Sequence, residues 1–288
     1  MSMDTNPGQP ATDFGAWIGR TETTDDPLAV TQARAAAAMF DDVAAQLDDG
    51  ASLPPLWHWF YFLPRAPQSQ LDDDGHPKRG GFLPPIPYPR RMFAGSTLRF
   101  HRPLVLGRPA RRHARIADVA MKSGRSGSLA FVTVALRFEQ DGAPCIEEEQ
   151  QIVYREPGAA VPAPAVAAWA DLPEGAWSRV VTPDPRLLFR FSALTFNAHR
   201  IHYDRDYARD VEGYPGLVVH GPLTAMLLAG LAQRESGRPL AAFSFRGQAP
   251  LFDLAPLRLV GIADGDAVRL EAQRCDGQVA LAATAELA

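Results

Sequence analysis

Arg190-Phe191-Ser192-Ala193-Leu194-Thr195-Phe196-Asn197-Ala198-His199-Arg200-Ile201-His202-Tyr203-Asp204 gathers an asparagine, an arginine, an aspartate and two of the seven histidines into one short segment. A strand-like run, Leu187 to Phe191, leads into it, and Asp204 can cap a short helix holding Tyr207, Ala208 and Val211. Downstream, Val218-Val219-His220-Gly221-Pro222-Leu223 turns from an apolar run into a helix expected from about His220 to Gln233, with Pro222 in its first turn. Glycine just before a helix lets a ligand approach the free N–H groups, and the helix dipole favours negative charge there. A base beside a ready oxyanion site is what enolate chemistry requires. Each element has a plainer reading. Asn, His and Asp also serve as turn and cap residues, and His220-Gly221-Pro222 also serves as a bare helix start. His199 and His202 at i and i+3 can pair on a metal, but no third Cys, His or carboxylate is spaced near them, so no metal is expected. The two elements together favour chemistry.

Outward from this segment the chain reads as two similar halves. Glu156-Pro157-Gly158-Ala159-Ala160-Val161-Pro162-Ala163-Pro164 lacks any hydrophobic period and reads as an extended linker, here bounded at 157–170. After it, strands are expected over Pro239 to Phe252, Leu257 to Ile262, Ala267 to Arg274 and Gln278 to Glu286, with turns at Asp264-Gly265 and Asp276-Gly277. Before it, Asp26 and Pro27 suit a helix start and Asp49-Gly50 a stop, with Leu28, Phe40, Val43 and Leu47 forming an apolar stripe. The prolines between Leu53 and Arg91 forbid regular helix there. Ser128 to Phe138 then alternates Val132, Val134, Leu136 and Phe138, and Asp141-Gly142 turns it into a strand over Ile146 to Tyr154. Helix followed by antiparallel strands, twice, is an α+β pattern, and no glycine-rich phosphate loop follows any strand. The division expected is 12–156, the 157–170 linker and 171–288.

Composition narrows the class. The chain has 288 residues, 46% hydrophobic and 22% charged, enough for two cores without disulfides or metals. A net charge of −4 makes nucleic acid a poor partner for the surface as a whole. Only two cysteines, Cys145 and Cys275, exclude a zinc ribbon, a cysteine-ligated iron–sulfur cluster and a secreted disulfide scaffold. Met1 to Trp17 lacks the pattern of a signal peptide, and no apolar run approaches the ~20 residues of a membrane span. A soluble, cytoplasmic protein is expected.

Ser192 to Ala208, with His220-Gly221 downstream, resembles the hydratase-2 motif of the MaoC-like hydratases and dehydratases, hot-dog proteins that act on acyl thioesters. His202 falls on the motif histidine, Ala208 on its alanine and Gly221 on the glycine that opens the central helix. Asn197, His199 and Arg200 stand where the motif has aspartate, asparagine and proline, as in a narrower branch of HTD2-type dehydratases and mesaconyl-C4-CoA hydratases. Gly75-His76-Pro77-Lys78-Arg79-Gly80-Gly81-Phe82-Leu83-Pro84-Pro85 and Pro89-Arg90-Arg91-Met92-Phe93-Ala94-Gly95 resemble the same branch, so the likeness covers nearly the whole chain. It implies an α+β double hot dog, each repeat an antiparallel sheet wrapped on a helix.

It also implies a hydro-lyase that moves water across the double bond of an enoyl-CoA thioester, with coenzyme A as part of the substrate and no cofactor. Gly221 N–H would hold the thioester oxygen, His202 would take the proton of water, Asn197 would position that water and His199 would share the proton. Substrate contacts are assigned to His220, Arg246, Arg200, Tyr203, Arg90 and Arg91. Mesaconyl-C4-CoA or itaconyl-CoA, hydrated to citramalyl-CoA, is the expected substrate. The alternatives are a 3-hydroxyacyl dehydratase working on acyl carrier protein and a non-catalytic thioester-binding hot dog. No nucleic acid or membrane is expected as a partner, and the chain is either a monomeric pseudo-dimer or a homodimer.

Three features have two readings each. Residues 88–125 hold ten Lys or Arg (Arg90, Arg91, Arg99, Arg102, Arg108, Arg111, Arg112, Arg115, Lys122 and Arg125) against Asp118 alone, either a dock for coenzyme A phosphates or carrier protein, or the wet edges of a basic sheet. Arg246 lies in an apolar strand run, where a buried charge needs a partner, either the substrate or a structural acid. Trp57-His58-Trp59-Phe60-Tyr61-Phe62 either lines an acyl pocket or simply packs, and Asp72-Asp73-Asp74 reads as a solvated loop.

Overall fold

Alternation of buried and wet side chains builds one antiparallel sheet. A computed structural model describes residues 14–42, 46–124 and 127–288, so the expectations at Val43, Arg125 and the start of the chain, residue 12 included, lie outside the described residues. The first half supplies β1 (Thr21–Asp26), β2 (Arg90–Phe100), β3 (Ala110–Gly124), β4 (Gly127–Gln140) and β5 (Ala143–Arg155). The second supplies β6 (Trp177–Val181), β7 (Leu240–Gly247), β8 (Leu257–Asp264), β9 (Ala267–Gln273) and β10 (Val279–Leu287). Among the described residues these form a 10-stranded sheet in the order β1-β3-β4-β5-β2-β7-β10-β9-β8-β6. The first five and the last five repeat the same order, read outward from a β2–β7 seam. That repeated layout is the double hot dog.

The seam runs antiparallel from Gly95↔Arg246 to Arg99↔Ala242. A Cβ at Gly95 would lie 2.4 Å from the Phe245 carbonyl oxygen, so the close approach of the two halves requires glycine. β4 buries Ala130, Val132, Val134, Leu136 and Phe138 on one face, as its alternation predicts.

Among the described residues there are three α-helices, of which the third packs along the sheet. α3 (Gly221–Ser236) starts after His220 with Pro222 in its first turn and stops at Gly237, whose φ of 66° is left-handed. Its sequence is apolar nearly all round, and it buries Leu223 to Ala229, Leu231 and Ala232 against strands of the second half. α1 (Val30–Met39) is shorter than the helix expected from Asp26 to Gly50. Asp26 ends β1 instead, and its carboxylate accepts the Leu28 and Phe62 backbone N–H groups, at 2.9 and 3.0 Å. Asp41, at φ 57°, stops the chain from continuing as helix. α1 packs against α2 (Pro185–Thr195) and the tight turn Trp57–Phe60.

α2 corrects the strand expected at Leu187 to Phe191. Asp184 caps it, accepting from Leu187 N at 2.9 Å, and Leu188 and Phe191 fall on one buried face. The span from Glu156 to Ala176 holds neither helix nor strand. It is tied to the second half by Val161 N–H to Gly213 O (2.8 Å) and Ala167 N–H to Cys275 O (3.0 Å). Among the described residues, no helix is long and apolar enough to cross a membrane.

Candidate active site

α2 delivers the functional segment and a series of local hydrogen bonds shapes it. Phe196 ends the helix in the left-handed region (φ 51°), and Asn197 N–H returns to Ser192 O at 2.9 Å. Asn197 Oδ1 accepts from His199 N–H at 3.0 Å, which leaves the amide nitrogen for other work. Asp204 Oδ1 accepts from Tyr207 N–H at 3.0 Å and caps a π-type turn, Tyr207–Val211, as expected.

The first half docks directly onto this segment. Arg200 N–H donates to Asp74 O at 2.9 Å, and its guanidinium reaches Asp73 O at 3.1 Å. A Cβ on Gly75 would lie 1.8 Å from Ala198 O, and Gly75 has φ +90°, so glycine is required on both counts. The contact carries Asp74 and His76 into the site. Asp74 Oδ1 accepts from His76 N–H at 2.8 Å, and Oδ2 lies 3.0 Å from His76 Nδ1.

A row of imidazoles results. The ring centroids of His76 and His199 lie 4.0 Å apart, those of His199 and His202 5.4 Å, and His202 stacks on His220 at 3.7 Å. His202 Nδ1 lies 2.7 Å from Val218 O. A carbonyl only accepts, so Nδ1 carries the hydrogen and Nε2 presents its lone pair. His220 Nε2 pairs with Ser192 Oγ at 2.9 Å.

Burial disfavours positive charge along the row. It pushes His202 down to about 4, against the opposing Val218 hydrogen bond. His199 and His220 also fall well below the ordinary range, through burial first and the neighbouring histidines second. Burial and the Arg91 charge lower His76, while Asp74 opposes them. Burial would raise the Asp74 carboxyl, but the hydrogen bonds and charge of His76 hold it well below the ordinary carboxylate range.

A cleft of about 1170 Å³ opens beside the row. Val134, Leu136, Phe138 and Ile152 of the first half's sheet form its apolar wall; Asn197, Tyr203, His76 and Pro222 line it near the histidines. Pro222 follows Gly221, whose N–H, at the first position of α3, has no hydrogen-bond partner among the described residues. Base and helix tip are therefore neighbours, because His202 stacks on the residue that precedes Gly221.

Several expected contacts fall elsewhere. Arg246 is exposed, because its neighbours Phe245 and Phe243 take the buried positions of β7, and no partner is required there. Arg200 is held by Asp204 Oδ2 at 2.8 and 3.0 Å and lies over the Tyr207 ring at 4.0 Å, so it braces the segment. Arg90 is paired with Glu212 and with the Val211 and Glu212 carbonyls. His220 is 1% exposed and backs His202; His199, His202 and Gly221, like His220, lie behind the cleft wall, which His76, Asn197 and Pro222 form at this end. Tyr203 donates to Ala198 O at 3.0 Å and lines the cleft, as does Arg91.

The basic run is spread along β2 and β3, and Arg111, Arg112 and Arg108 pair with Asp25, Glu22 and Asp141. The aromatic run divides: Trp57 and Phe60 pack in the core, while His58, Trp59, Tyr61 and Phe62 line the cleft.

Sequence reasoning missed Asp74, taken as part of a solvated loop, and assigned no role to His76. Asp74, His76 and His199 offer ligand atoms within 4.8 Å of one another, a group of three that His202 does not join and that spacing along the chain did not reveal. Asp74 Oδ2 and His76 Nδ1 face each other, which is the geometry of a carboxylate–imidazole pair.

The chain is 63% identical over 277 residues, 96% of its own length and 98% of the relative's, to a protein of Chloroflexus aurantiacus named mesaconyl-C(4)-CoA hydratase. Its fold matches a solved MaoC-like dehydratase at TM-score 0.71 and 17% identity, covering 96% of this chain and 99% of that one. It also matches a Mycobacterium tuberculosis protein described as a double hot dog, at TM-score 0.60 and 14% identity, covering 94% and 96%. Residues 56–253 match the family hydroxyacyl-thioester dehydratase type 2, and the chain belongs to that family.

Proposed function

We propose that this chain is a hydro-lyase that adds water across the double bond of an enoyl-CoA thioester, or removes it in reverse, with mesaconyl-C4-CoA as substrate. The high identity to the Chloroflexus aurantiacus hydratase supports both the reaction and the substrate. Residues 12–156 would hold the acyl group and residues 171–288 would supply the catalytic segment, with 157–170 joining them. Coenzyme A belongs to the substrate, and the residues below need no cofactor.

The observation that carries the reading is the fixed tautomer of His202, whose Nδ1–H is pinned at 2.7 Å to Val218 O. Its Nε2 takes a proton from water held by the Asn197 amide, and the oxygen bonds to the β-carbon. The π electrons move onto the thioester oxygen, where Gly221 N–H supplies ~3 kcal/mol of stabilisation. The α-carbon then takes back a proton. His199 and His76 lie on the route of return, and Asp74 makes His76 the imidazole best able to hold positive charge.

The test is a panel of enoyl-CoAs followed by loss of conjugated absorbance. Hydration of mesaconyl-C4-CoA at enzymatic rates is expected. Turnover of 3-hydroxyacyl chains on acyl carrier protein with neglect of CoA thioesters would favour the carrier-protein dehydratase instead. Acyl-CoA binding without any change in absorbance would favour a silent binding protein.

A further inference from the structure

Arg91 of β2 and Tyr154 of β5 are direct partners in the antiparallel register. Residues so paired carry their side chains on the same face, within reach of each other, and both side chains line the cleft. The alternation along β2 separates the two adjacent arginines: Arg90 turns to Glu212, whereas Arg91 has no ion-pair partner among the described residues.

Tyr154 is fully buried; the Arg91 guanidinium lies close enough to act on its phenol, yet the hydroxyl makes no well-formed hydrogen bond among the described residues. Buried polar groups are ordinarily paired, so an orphan hydroxyl beside an unpaired guanidinium marks a missing anion. The neighbouring carboxylates are already engaged. Asp74 spends both oxygens on His76, and Glu148 accepts from His58, Trp59, Ser96 and Gln150. Arg79 is held by the Ile86 and Pro89 carbonyls.

The positive charge of Arg91 is felt at His76 and His199, which puts it at the reacting end of the cleft. A planar guanidinium fork with a hydroxyl beside it matches a carboxylate.

We infer that Arg91 and the Tyr154 hydroxyl form a receptor for a carboxylate borne on the β-carbon, the carbon that receives the hydroxyl group. The enzyme is thereby a hydratase of monothioesters of unsaturated dicarboxylic acids. This rests on the hydration reading above and adds to it the residues that select the substrate. A plain enoyl thioester leaves the guanidinium and the phenol unpaired, and sites built to bond a polar group reject analogues that lack it.

The experiment compares mesaconyl-C4-CoA with crotonyl-CoA, the same conjugated thioester without the carboxylate. The wild-type chain is expected to prefer the former in kcat/KM by about 10³-fold, and Arg91→Gln to reduce that preference to below about 10-fold. Arg91→Lys, which keeps the charge without the fork, falls between them, and Tyr154→Phe lowers the preference by about 10-fold. An Arg91→Gln variant that loses both substrates equally, or keeps the full preference, overturns the assignment.

Calorimetric binding to His202→Ala backgrounds reads the same selectivity without turnover. If the wild type hydrates neither thioester, the hydration reading fails. The receptor then stands if Arg91→Gln weakens binding of mesaconyl-C4-CoA at least about 10-fold more than that of crotonyl-CoA, and falls if both weaken alike.

Discussion

Two polar clusters are buried beside the same cleft and are put together in opposite ways. Around Glu148, every acceptor position is served: His58 Nε2 lies at 3.0 Å, Trp59 Nε1 at 3.1 and 3.2 Å, Ser96 Oγ at 2.9 Å and Gln150 Nε2 at 2.8 Å. An ionised carboxylate has about four lone-pair sites, and this one has none to spare. Burial alone would raise the Glu148 carboxyl, yet its donors keep it below the ordinary range. In the histidine row three of the four rings are held by one contact and left open at another atom: His202 by Val218, His76 by Asp74, and His220 by Ser192 with Nδ1 unpaired among the described residues. A saturated cluster has nothing to offer a ligand and holds the fold. A row of half-served imidazoles beside a cleft has lone pairs available for chemistry.

Substitutions should therefore divide cleanly between activity and stability. His202→Ala is expected to lower kcat by about 10⁴-fold, the upper end for loss of a general base, with the unfolding midpoint nearly unchanged. The pair of measurements is enoyl absorbance and denaturant unfolding. Glu148→Ala should do the reverse, costing about 3–5 kcal/mol of stability by stranding buried donors and a histidine. Urea unfolding reads that loss, and activity per folded molecule should survive at temperatures where the variant stays folded. A large catalytic defect in folded Glu148→Ala would erase the distinction.

Acid titration gives the next effect. His202 is neutral in the fold, with its pKa pushed down to about 4, while the unfolded chain protonates it near the ordinary value of about 6.5. Below that value the unfolded state binds the additional proton. Stability from this group is thus full above about pH 6.5 and falls by about 3 kcal/mol as pH drops to about 4. His202→Ala should remove that part of the pH dependence in unfolding midpoints. Asp74→Asn keeps the size of the side chain and removes the charge that steadies protonated His76. A fall of about 10²-fold in kcat, with KM little changed, is the expected result. The smallest effect belongs to Asn197→Ala, about 10-fold in kcat, because a single neutral amide only positions water. Full activity in that variant would withdraw the role given to Asn197.

Legibility in the sequence followed the range of the interaction. The alternation of Val132, Val134, Leu136 and Phe138, and the His220-Gly221-Pro222 helix start, were readable because each is settled within one segment. β1 was not readable: Thr21-Glu22-Thr23-Thr24-Asp25-Asp26 is a mostly exposed edge strand with no apolar period. Leu187 to Phe191 suited strand or helix by apolar content, and Asp184-Pro185 was the start signal that distinguished them. Arg246 was misjudged because an apolar run does not reveal which face a charge at its end occupies. For the site, the motif supplied Asn197, His199, His202 and Gly221, and the brace role of Arg200 followed only from its contacts in the fold.

By itself the sequence determined two helix-and-sheet repeats, a thioester-family motif with an asparagine in the acid's place, and a helix that starts at His220-Gly221-Pro222. The tertiary structure alone decided that Asp74 and His76 complete the row of histidines, that Arg91 faces the cleft while Arg90 does not, and that Glu148 is saturated. The reason is physical. Period, caps and turns are fixed by neighbours along the chain. Which lone pairs remain open is fixed by how separate segments meet: His58 and Glu148 stand 90 residues apart, and Asp74 and His76 reach the histidine row only where the Gly75 loop docks against Ala198.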